Sequence, residues 1–227
     1  MTDQGQMAAE AWRQADYTNA WVALDDRIDL LELPRAIAAA VVHHDRPSSA
    51  LIVDIASGPG AFLSVFLDEF PDARGIWQDA SDSMQAHAVE RLSRFGDRVA
   101  FKPGDMTDLA GCGIPSGVDV IVTSRAAHHL DRAGLHSFYA EAASLLAPGG
   151  WLVNLDHVGP ADVWDKRLRA VRPRFAANAG TEKPHHHNYP LTSVEDHMSG
   201  FRSAGISDVE ITWRAFYTCL FMGRKDS

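Results

Sequence analysis

The sequence predicts an α/β fold built on a mostly parallel sheet. Strand-like and helix-like segments alternate over residues 51–155, and the strand segments are short, continuous apolar runs such as Val120-Ile121-Val122. Strands of this kind are buried on both faces, as in sheets that helices cover from both sides. Two more strand segments follow closely near the C-terminus and predict a hairpin. We therefore expect seven strands, mostly parallel, with an antiparallel strand at the C-terminal end.

Apolar periodicity assigns each element in turn. Residues 7–45 predict helices, with a helix start near Pro34. Strands are expected at residues 51–55, 73–78, 99–103, 119–123, 151–155, 209–213 and 217–222. Helices are expected at residues 61–69, 83–95, 135–146, 163–177 and 195–204, with stop signals at Pro148-Gly149-Gly150 and Gly205.

The length of 227 residues suits one principal domain. We predict an N-terminal helical cap over residues 1–46 and a nucleotide-binding domain over residues 47–227. Residues 159–200 interrupt the alternation and are expected to form a lid insertion over the sheet. Within them, His185-His186-His187 cannot all face one ion from regular structure, so we expect a polar loop and no metal site.

Composition narrows the choice of partners and compartment. The net charge is −9, with 21 basic and 30 acidic residues, which argues against nucleic-acid and anionic-membrane partners. The two cysteines, Cys112 and Cys219, form no CxxC pair, and the N-terminus resembles no signal peptide, so we expect a cytoplasmic protein. No apolar run reaches membrane-spanning length. Oligomeric state stays open, with a homodimer among the candidates.

The segment 51–67 has the form of a nucleotide cradle. An apolar strand leads into the small-residue turn Ala56–Gly60, and helical spacing resumes at once. Such a turn lets the backbone approach a ligand, and the helix N-terminus presents N–H groups to it. Asp79 ends the second strand, where a carboxylate accepts hydrogen bonds from ribose hydroxyls. The dinucleotide pattern G-x-G-x-x-G/A is matched only weakly, because Ala56 replaces its first glycine.

Five segments in order resemble class I S-adenosylmethionine-dependent methyltransferases of the small-molecule type. Val53–Gly60 resembles the first motif of that family, hydrophobic-D/E-x-G-x-G-x-G, and departs from it only at Ala56. The other four are similar to the ribose, adenine, fourth-strand and fifth-strand segments; they are Gly75–Met84, Phe101–Met106, Asp119–Leu130 and Leu145–Val153. Each is weak alone, but their order and spacing favour this family.

The resemblance implies a Rossmann-like seven-stranded methyltransferase sheet and S-adenosylmethionine as the cofactor, with S-adenosylhomocysteine as its product. The reaction implied is methyl transfer (EC class 2.1.1) to a small-molecule acceptor, with oxygen slightly favoured over nitrogen or carbon. The implied cofactor-binding residues are Tyr17, Asp54, Ala56, Ser57, Gly58, Gly60, Asp79, Ala80, Met84, Asp105, Met106, Ser124 and Arg125. Among these, Asp79 would bind ribose, and Asp105 with Met106 would contact adenine.

The candidate catalytic residues are His128, His129 and His157. The first two follow the fourth strand and the third follows the fifth strand, at the sheet edge where open α/β proteins bind ligands. A histidine suits a hydroxyl acceptor because its pKa allows it to act as a general base. Either residue of the adjacent pair can face the acceptor or pack inside the domain. We expect His197 instead on a helix surface.

Two other functions stay open at this point. The same cofactor site could serve non-methylating chemistry on the sulfonium, such as intramolecular cyclisation. An NAD-dependent oxidoreductase is the weaker alternative, because of Ala56. The segment Ser124–Ala127 lacks the [DN]-P-P-[FYW] motif of DNA amine methylases.

Overall fold

The computed structural model describes residues 31–171, 174 and 190–227. The predicted helices before residue 31, Tyr17 and the histidine run 185–187 lie outside these residues. The α-helices are α1 (Glu32–Asp45), α2 (Ala61–Glu69), α3 (Asp82–Leu92), α4 (Arg132–Leu145), α5 (Asp162–Val171) and α6 (Val194–Ser203). The strands are β1 (Leu51–Ile55), β2 (Arg74–Asp79), β3 (Val99–Pro103), β4 (Val118–Ser124), β5 (Leu146–His157), β6 (Asp208–Ala215) and β7 (Thr218–Arg224).

The seven strands form one sheet in the order β3-β2-β1-β4-β5-β7-β6. Every pair among β1 to β5 is parallel, whereas β7 is antiparallel to both β5 and β6. Strand β6 therefore runs in the same direction as the parallel set, and β7 alone is reversed. The predicted fold class is confirmed. The order of strands reverses between β1 and β4, which opens a crevice at their carboxyl ends.

Helices cover both faces of the sheet. Helices α1, α2 and α3 pack on one face around Phe66 and Trp77. Helices α4 and α6 pack on the other face around Tyr139 and Phe201. Central strands alternate their side chains between the two clusters, so both faces of each strand are buried, as the continuous apolar runs predict.

Most predicted boundaries lie within a few residues of the observed ones, and the clearest difference is at β5. We expected the helix to end at Leu146 and the strand to begin at Trp151, whereas β5 already begins at Leu146. The segment Pro148–Gly150 runs within the strand, with a register shift between Val118 and Val120 on the neighbouring β4. Glycine permits this, because a Cβ on Gly150 would lie 2.9 Å from the carbonyl oxygen of Ala147.

The predicted lid insertion, residues 159–200, extends too far at its C-terminal end. Helix α6 begins at Val194 and packs on α4, so residues 194–200 belong to the layer that covers the sheet. The prediction of an exposed His197 is wrong for the same reason. Its side chain is buried and hydrogen-bonded to Tyr139 and Thr192, at 2.6 and 2.9 Å, which satisfies both ring nitrogens.

None of the described helices combines the length and the apolar character that crossing a bilayer requires.

Candidate active site

The turn after β1 reverses the chain through left-handed backbone conformations. Ala56, Gly58 and Gly60 have φ values of 50°, 55° and 78°. Gly60 also has no room for a side chain, since a Cβ there would lie 2.8 Å from Leu92 Cδ1. An alanine at positive φ costs about 1–2 kcal/mol, so the fold maintains a strained turn at Ala56.

The amide groups of this turn are already used within the protein. Ala56 and Ser57 donate to the side-chain and main-chain oxygens of Gln78, at 3.0 and 2.9 Å. Gly58 donates to Asp79 Oδ2 at 2.8 Å, and Gly60 donates to the Ser57 carbonyl at 3.0 Å. Phosphate-binding turns instead aim free N–H groups at the ligand. This turn is therefore suited to a ligand without a phosphate there, contrary to the N–H cradle that the sequence indicates.

Asp54 supports the turn from inside the domain. Its Oδ2 accepts hydrogen bonds from Ser57 Oγ at 2.6 Å and from the Leu63 amide at 3.1 Å. Its Oδ1 is buried and has no hydrogen-bond partner among residues 31–171, 174 and 190–227. Burial raises the pKa of Asp54 to about 7, although the bonds from Ser57 and Leu63 oppose this shift.

Asp79, at the end of β2, connects the turn to α3. Its carboxylate accepts the Gly58 amide and, through Oδ1 at 2.9 Å, the Ser81 amide. Desolvation raises the pKa of Asp79, and hydrogen bonds from the neighbouring amides lower it. A carboxylate has about four lone-pair sites, and the amides of Gly58, Ala80 and Ser81 use three of them, so about one acceptor position is left for a hydroxyl group. Ala80 is exposed and Met84 is buried just beyond.

Gln78 is a site residue that the sequence predictions missed. It is fully buried on β2, and its Oε1 accepts the Ala56 amide, while its Nε2 donates to the Gly104 carbonyl at 2.6 Å. It thus ties the turn after β1 to the loop after β3. The only available signal was a polar residue inside a predicted buried strand, which gives no partner in advance.

The loop after β3 carries the predicted adenine residues. Asp105 is exposed, and its Oδ1 accepts the amide and the hydroxyl of Thr107, both at 2.8 Å. Met106 is half-buried against the α4 side of the core. Both residues lie at the same sheet edge as Asp79, since β3 pairs with β2 in parallel.

The end of β4 holds two polar side chains that are buried without protein partners. Thr123 Oγ1 and Ser124 Oγ form no hydrogen bond with any residue of the described ranges. The next residue, Arg125, has φ of 55° and donates its amide to the Leu155 carbonyl at 2.9 Å. A buried hydroxyl without a partner is costly, which is expected where a ligand completes the site.

Asp156, on β5, organises the predicted catalytic histidines. Its Oδ1 lies 2.5 Å from His128 Nδ1, and its Oδ2 accepts the His128 amide at 2.9 Å. The His157 amide also donates to Oδ1, at 2.8 Å. The side chains of His128 and Asp156 are both fully buried. The sequence analysis named the histidines without this carboxylate, because their contact joins residues that are 28 positions apart.

The three histidines lie together. The ring of His128 is 4.1 Å from that of His129 and 5.1 Å from that of His157, between centroids. His129 and His157 are half-buried, and His157 Nδ1 lies 3.2 Å from Thr218 Oγ1. The ends of β4 and β5 thus bring one imidazole–carboxylate pair and two further imidazoles to the crevice edge.

Comparison with known proteins relates part of the chain to methyltransferases. A family model for a methyltransferase domain matches residues 52–150. This match covers somewhat less than half of the chain, so it relates residues 52–150 to methyltransferase domains. The match favours methyl transfer over the alternative of an NAD-dependent oxidoreductase.

Similar proteins extend the comparison beyond the domain. A 3-amino-4-hydroxybenzoate 4-O-methyltransferase of Streptomyces cremeus is 36% identical over 116 residues, covering 51% of this chain and 31% of that protein. An O-methyltransferase family protein from Burkholderia thailandensis has a TM-score of 0.69 at 21% identity, over 94% of this chain and 60% of that one. The carbon methyltransferase CurJ has a TM-score of 0.64 at 20% identity, over 85% and 54%. The chain thus spans less than two thirds of each relative, and both structures support the fold alone.

The residues of the methyltransferase cradle fit S-adenosylmethionine. The cofactor has no phosphate, in agreement with a turn whose amides are already satisfied. Its ammonium group is a donor suited to Asp54 Oδ1, which has no hydrogen-bond partner among the described residues. A ribose hydroxyl suits the remaining acceptor position of Asp79. Every predicted cofactor and catalytic residue within the described part of the chain lies at or just beyond a carboxyl strand end.

Proposed function

We propose that this chain transfers a methyl group from S-adenosylmethionine to a hydroxyl group of a small molecule. The observation that carries this proposal is the buried pair of His128 and Asp156, which joins the ends of β4 and β5 beside the crevice. The relative that methylates a phenolic oxygen supports the choice of oxygen. The net charge of −9 favours a small molecule over a nucleic acid.

The cofactor supplies an electrophilic methyl group on a sulfonium. In the proposal, Asp54 binds the amino group at the methionine end, and Asp79 binds the ribose hydroxyls. Asp105 and Met106 contact the adenine from the loop after β3. Ser124 and Arg125 lie at the end of β4, next to the reacting centre. Holding the two reactants in line supplies much of the rate acceleration in such a displacement.

His128 is the proposed general base. A carboxylate oxygen accepts hydrogen bonds, so the contact with Asp156 keeps the hydrogen on Nδ1 and leaves Nε2 as the basic nitrogen. When Nε2 takes the proton of the acceptor hydroxyl, the Asp156 carboxylate stabilises the imidazolium. A hydroxyl needs this help more than a neutral amine does, because the hydroxyl becomes a good nucleophile only as it loses its proton. His129 and His157 then orient the acceptor.

The direct test is to incubate the protein with methyl-labelled S-adenosylmethionine and a matched panel of phenols, anilines and activated carbon acids. We expect label on the phenols and equimolar S-adenosylhomocysteine. Methylthioadenosine without a labelled acceptor would instead support cyclisation. Failure of the protein to bind S-adenosylhomocysteine in calorimetry would overturn the proposal.

The proposed cofactor site has its own test in Asp79→Asn, with Asp82→Asn as the matched control on an exposed residue of α3. Hydrogen bonds to a charged group contribute about 1.5–3 kcal/mol, so Asp79→Asn should weaken S-adenosylhomocysteine binding about 10-fold to 100-fold. The control should bind as the wild type does. Equal dissociation constants for all three proteins would remove Asp79 from the site.

A further inference from the structure

A second cavity lies at the same sheet edge, outside the cradle and the histidine cluster. Its volume is about 560 Å³, which is within the range of small-molecule pockets. Its wall begins at Gly159, two residues after His157 on the chain. Among the described residues, its other walls come from α5, the start of α6 and the turn between β6 and β7; the side chains used below are Trp164, Leu168, Glu195, Arg214 and Phe216.

The turn between β6 and β7 is a rigid wall of this cavity. Phe216 has φ of 51°, which is rare for a bulky residue and requires support from its surroundings. The next residue provides it. The Tyr217 carbonyl accepts the Val158 amide at 2.6 Å, and its hydroxyl donates to Asp165 Oδ1 on α5 at 2.9 Å. Phe216 is therefore held in place between the exit of β5 and α5.

A β-bulge brings Arg214 to the side of the sheet that faces the cavity. Ile211 packs in the cluster beneath α4 and α6, whereas Trp213 packs in the cluster on the opposite face. Residues two apart on a regular strand share a face, so the register shift between Ile211 and Trp213 has exchanged the faces. Arg214 consequently lies opposite Cys219, which belongs to the α6 side. Bulges commonly re-aim a side chain next to a functional site.

The charges around the cavity favour an anion. Arg214 is exposed and forms no ion pair with any residue in the ranges that the structure describes. A second guanidinium, that of Arg167, lies 5.0 Å from the ring centroid of Trp164. The carboxylate of the lining residue Glu195 lies 4.0 Å from Arg202, and its side chain is 80% exposed. The cavity thus combines apolar ring surfaces with a cation that has no ion-pair partner among the described residues.

We propose that this cavity binds the carboxylate-bearing end of an aromatic acceptor, with Arg214 as the counter-ion and Trp164 and Phe216 against the ring. An Arg–carboxylate pair adds both charge and bidentate geometry, and flat aromatic surfaces suit a ring. The inference rests on the proposed function, since it assigns this cavity to the part of the acceptor remote from the reacting hydroxyl. The expected acceptor is therefore a hydroxylated aromatic acid.

The test compares 4-hydroxybenzoate with its neutral analogue 4-hydroxybenzamide. Their binding is followed by quenching of tryptophan fluorescence and by calorimetry, with and without S-adenosylhomocysteine. The variant is Arg214→Gln, and the matched control is Arg74→Gln, an exposed arginine at the start of β2 and outside the cavity. Trp164→Phe should remove most of the quenching signal while calorimetric binding persists.

We expect the wild type and Arg74→Gln to prefer 4-hydroxybenzoate by at least about tenfold, and Arg214→Gln to lose that preference. An unchanged preference in Arg214→Gln would overturn the inference. The inference would also be overturned if wild-type protein bound the two probes equally or bound neither of them. If that protein still bound S-adenosylhomocysteine, the proposed function would be unaffected. If the wild type bound 4-hydroxybenzoate in an Arg214-dependent way but did not bind S-adenosylhomocysteine, the proposed function would be overturned. The inference about the cavity would then still hold.

Discussion

Carboxylates at the amino and carboxyl ends of the central strands differ in how fully they are hydrogen-bonded within the protein. At the amino end, Asp119 accepts hydrogen bonds from Arg46 Nε at 3.0 Å and from the amides of Ala50 and Leu51 at 2.8 and 3.0 Å. At the carboxyl end, Asp54 is buried, and one of its oxygens accepts no hydrogen bond from any described residue. The first carboxylate ties elements together, whereas the second has capacity left for a ligand.

Backbone strain follows the same division. At the amino end, left-handed conformations fall on glycines, such as Gly117 and Gly149, which adopt them at little cost. In the part of the chain that the structure describes, the non-glycine residues with positive φ are Ala56, Arg125 and Phe216, all at the carboxyl edge. Strain and unsatisfied polar atoms concentrate at functional sites, so the comparison separates a stabilising end of the sheet from a reactive one.

The largest effect is expected for Asp156→Asn at the carboxyl end of the sheet. The amide can no longer act as a negatively charged acceptor for His128, and general-base catalysis contributes about 100-fold to 10,000-fold. We expect kcat for methyl transfer to a phenol to fall within that range, with little change in S-adenosylhomocysteine affinity. Asp162→Asn, an exposed carboxylate on α5, is the matched control. A variant with the wild-type kcat would show that the pair is structural only.

The raised pKa of Asp54 predicts a pH effect on stability. Its folded-state pKa is about 7, against an ordinary value of 3.8, so between about pH 4 and pH 7 the folded state holds a proton that the unfolded state has lost. The stability that this proton contributes is present below pH 4 and is lost as the pH rises through 7. In urea unfolding without cofactor, Asp54→Asn should flatten this decline by on the order of 4 kcal/mol. A parallel pH profile for both proteins would contradict the assignment.

At the amino end, Asp119→Asn should reduce stability without affecting the site. It weakens the bonds from Arg46 and from two amides, for which about 1–2 kcal/mol is expected. Asp68→Asn, which breaks the exposed pair with Arg94, should cost about 0.5 kcal/mol or less. Urea unfolding measures both. A large loss of S-adenosylhomocysteine affinity in Asp119→Asn would show that the amino end of the sheet also supports the cofactor site.

Another small effect tests the backbone strain at Ala56. Ala56→Gly removes the left-handed penalty of alanine but adds entropy to the unfolded chain, so we expect a net stabilisation of about 0.5–1 kcal/mol. Ala36→Gly, at an exposed position in α1, should destabilise by about 1 kcal/mol instead. Thermal unfolding of the two variants should therefore shift in opposite directions. Equal destabilisation would mean that Ala56 bears no strain.

Much of the fold could be predicted because the signals were local. The strand 51–55, the helix 61–69 and the strand 99–103 were predicted at their observed bounds, since each is a short apolar run between turn residues. The predictions failed where a partner distant in the chain decides the outcome. Strand β5 begins at Leu146 because β4 pairs with it on both sides of Pro148–Gly150, Val118 with Leu146 and Val120 with Trp151. His197 is buried because Tyr139 and Thr192 satisfy its ring.

The candidate site divides in the same way. Residue type and position after a strand were enough to select Asp54, Asp79 and the three histidines, because ligands bind at the carboxyl ends of parallel strands. The residues that hydrogen-bond to the site could not be predicted in this way. Gln78 and Asp156 act through contacts with residues 26 and 28 positions distant, and Arg214 reaches its cavity through a bulge.

By itself, the sequence determined the α/β architecture, the class of cofactor and the sheet edge that carries the site. These depend on hydrophobic periodicity, on turn chemistry and on the order of five short motifs. Only the tertiary structure decided which histidine is held by a carboxylate, that the turn amides are already occupied, and which cation has no counter-charge in the part of the chain that the structure describes. The physical reason is that hydrogen bonds and charges act through space, and packing of distant segments sets the distances that give them their effect.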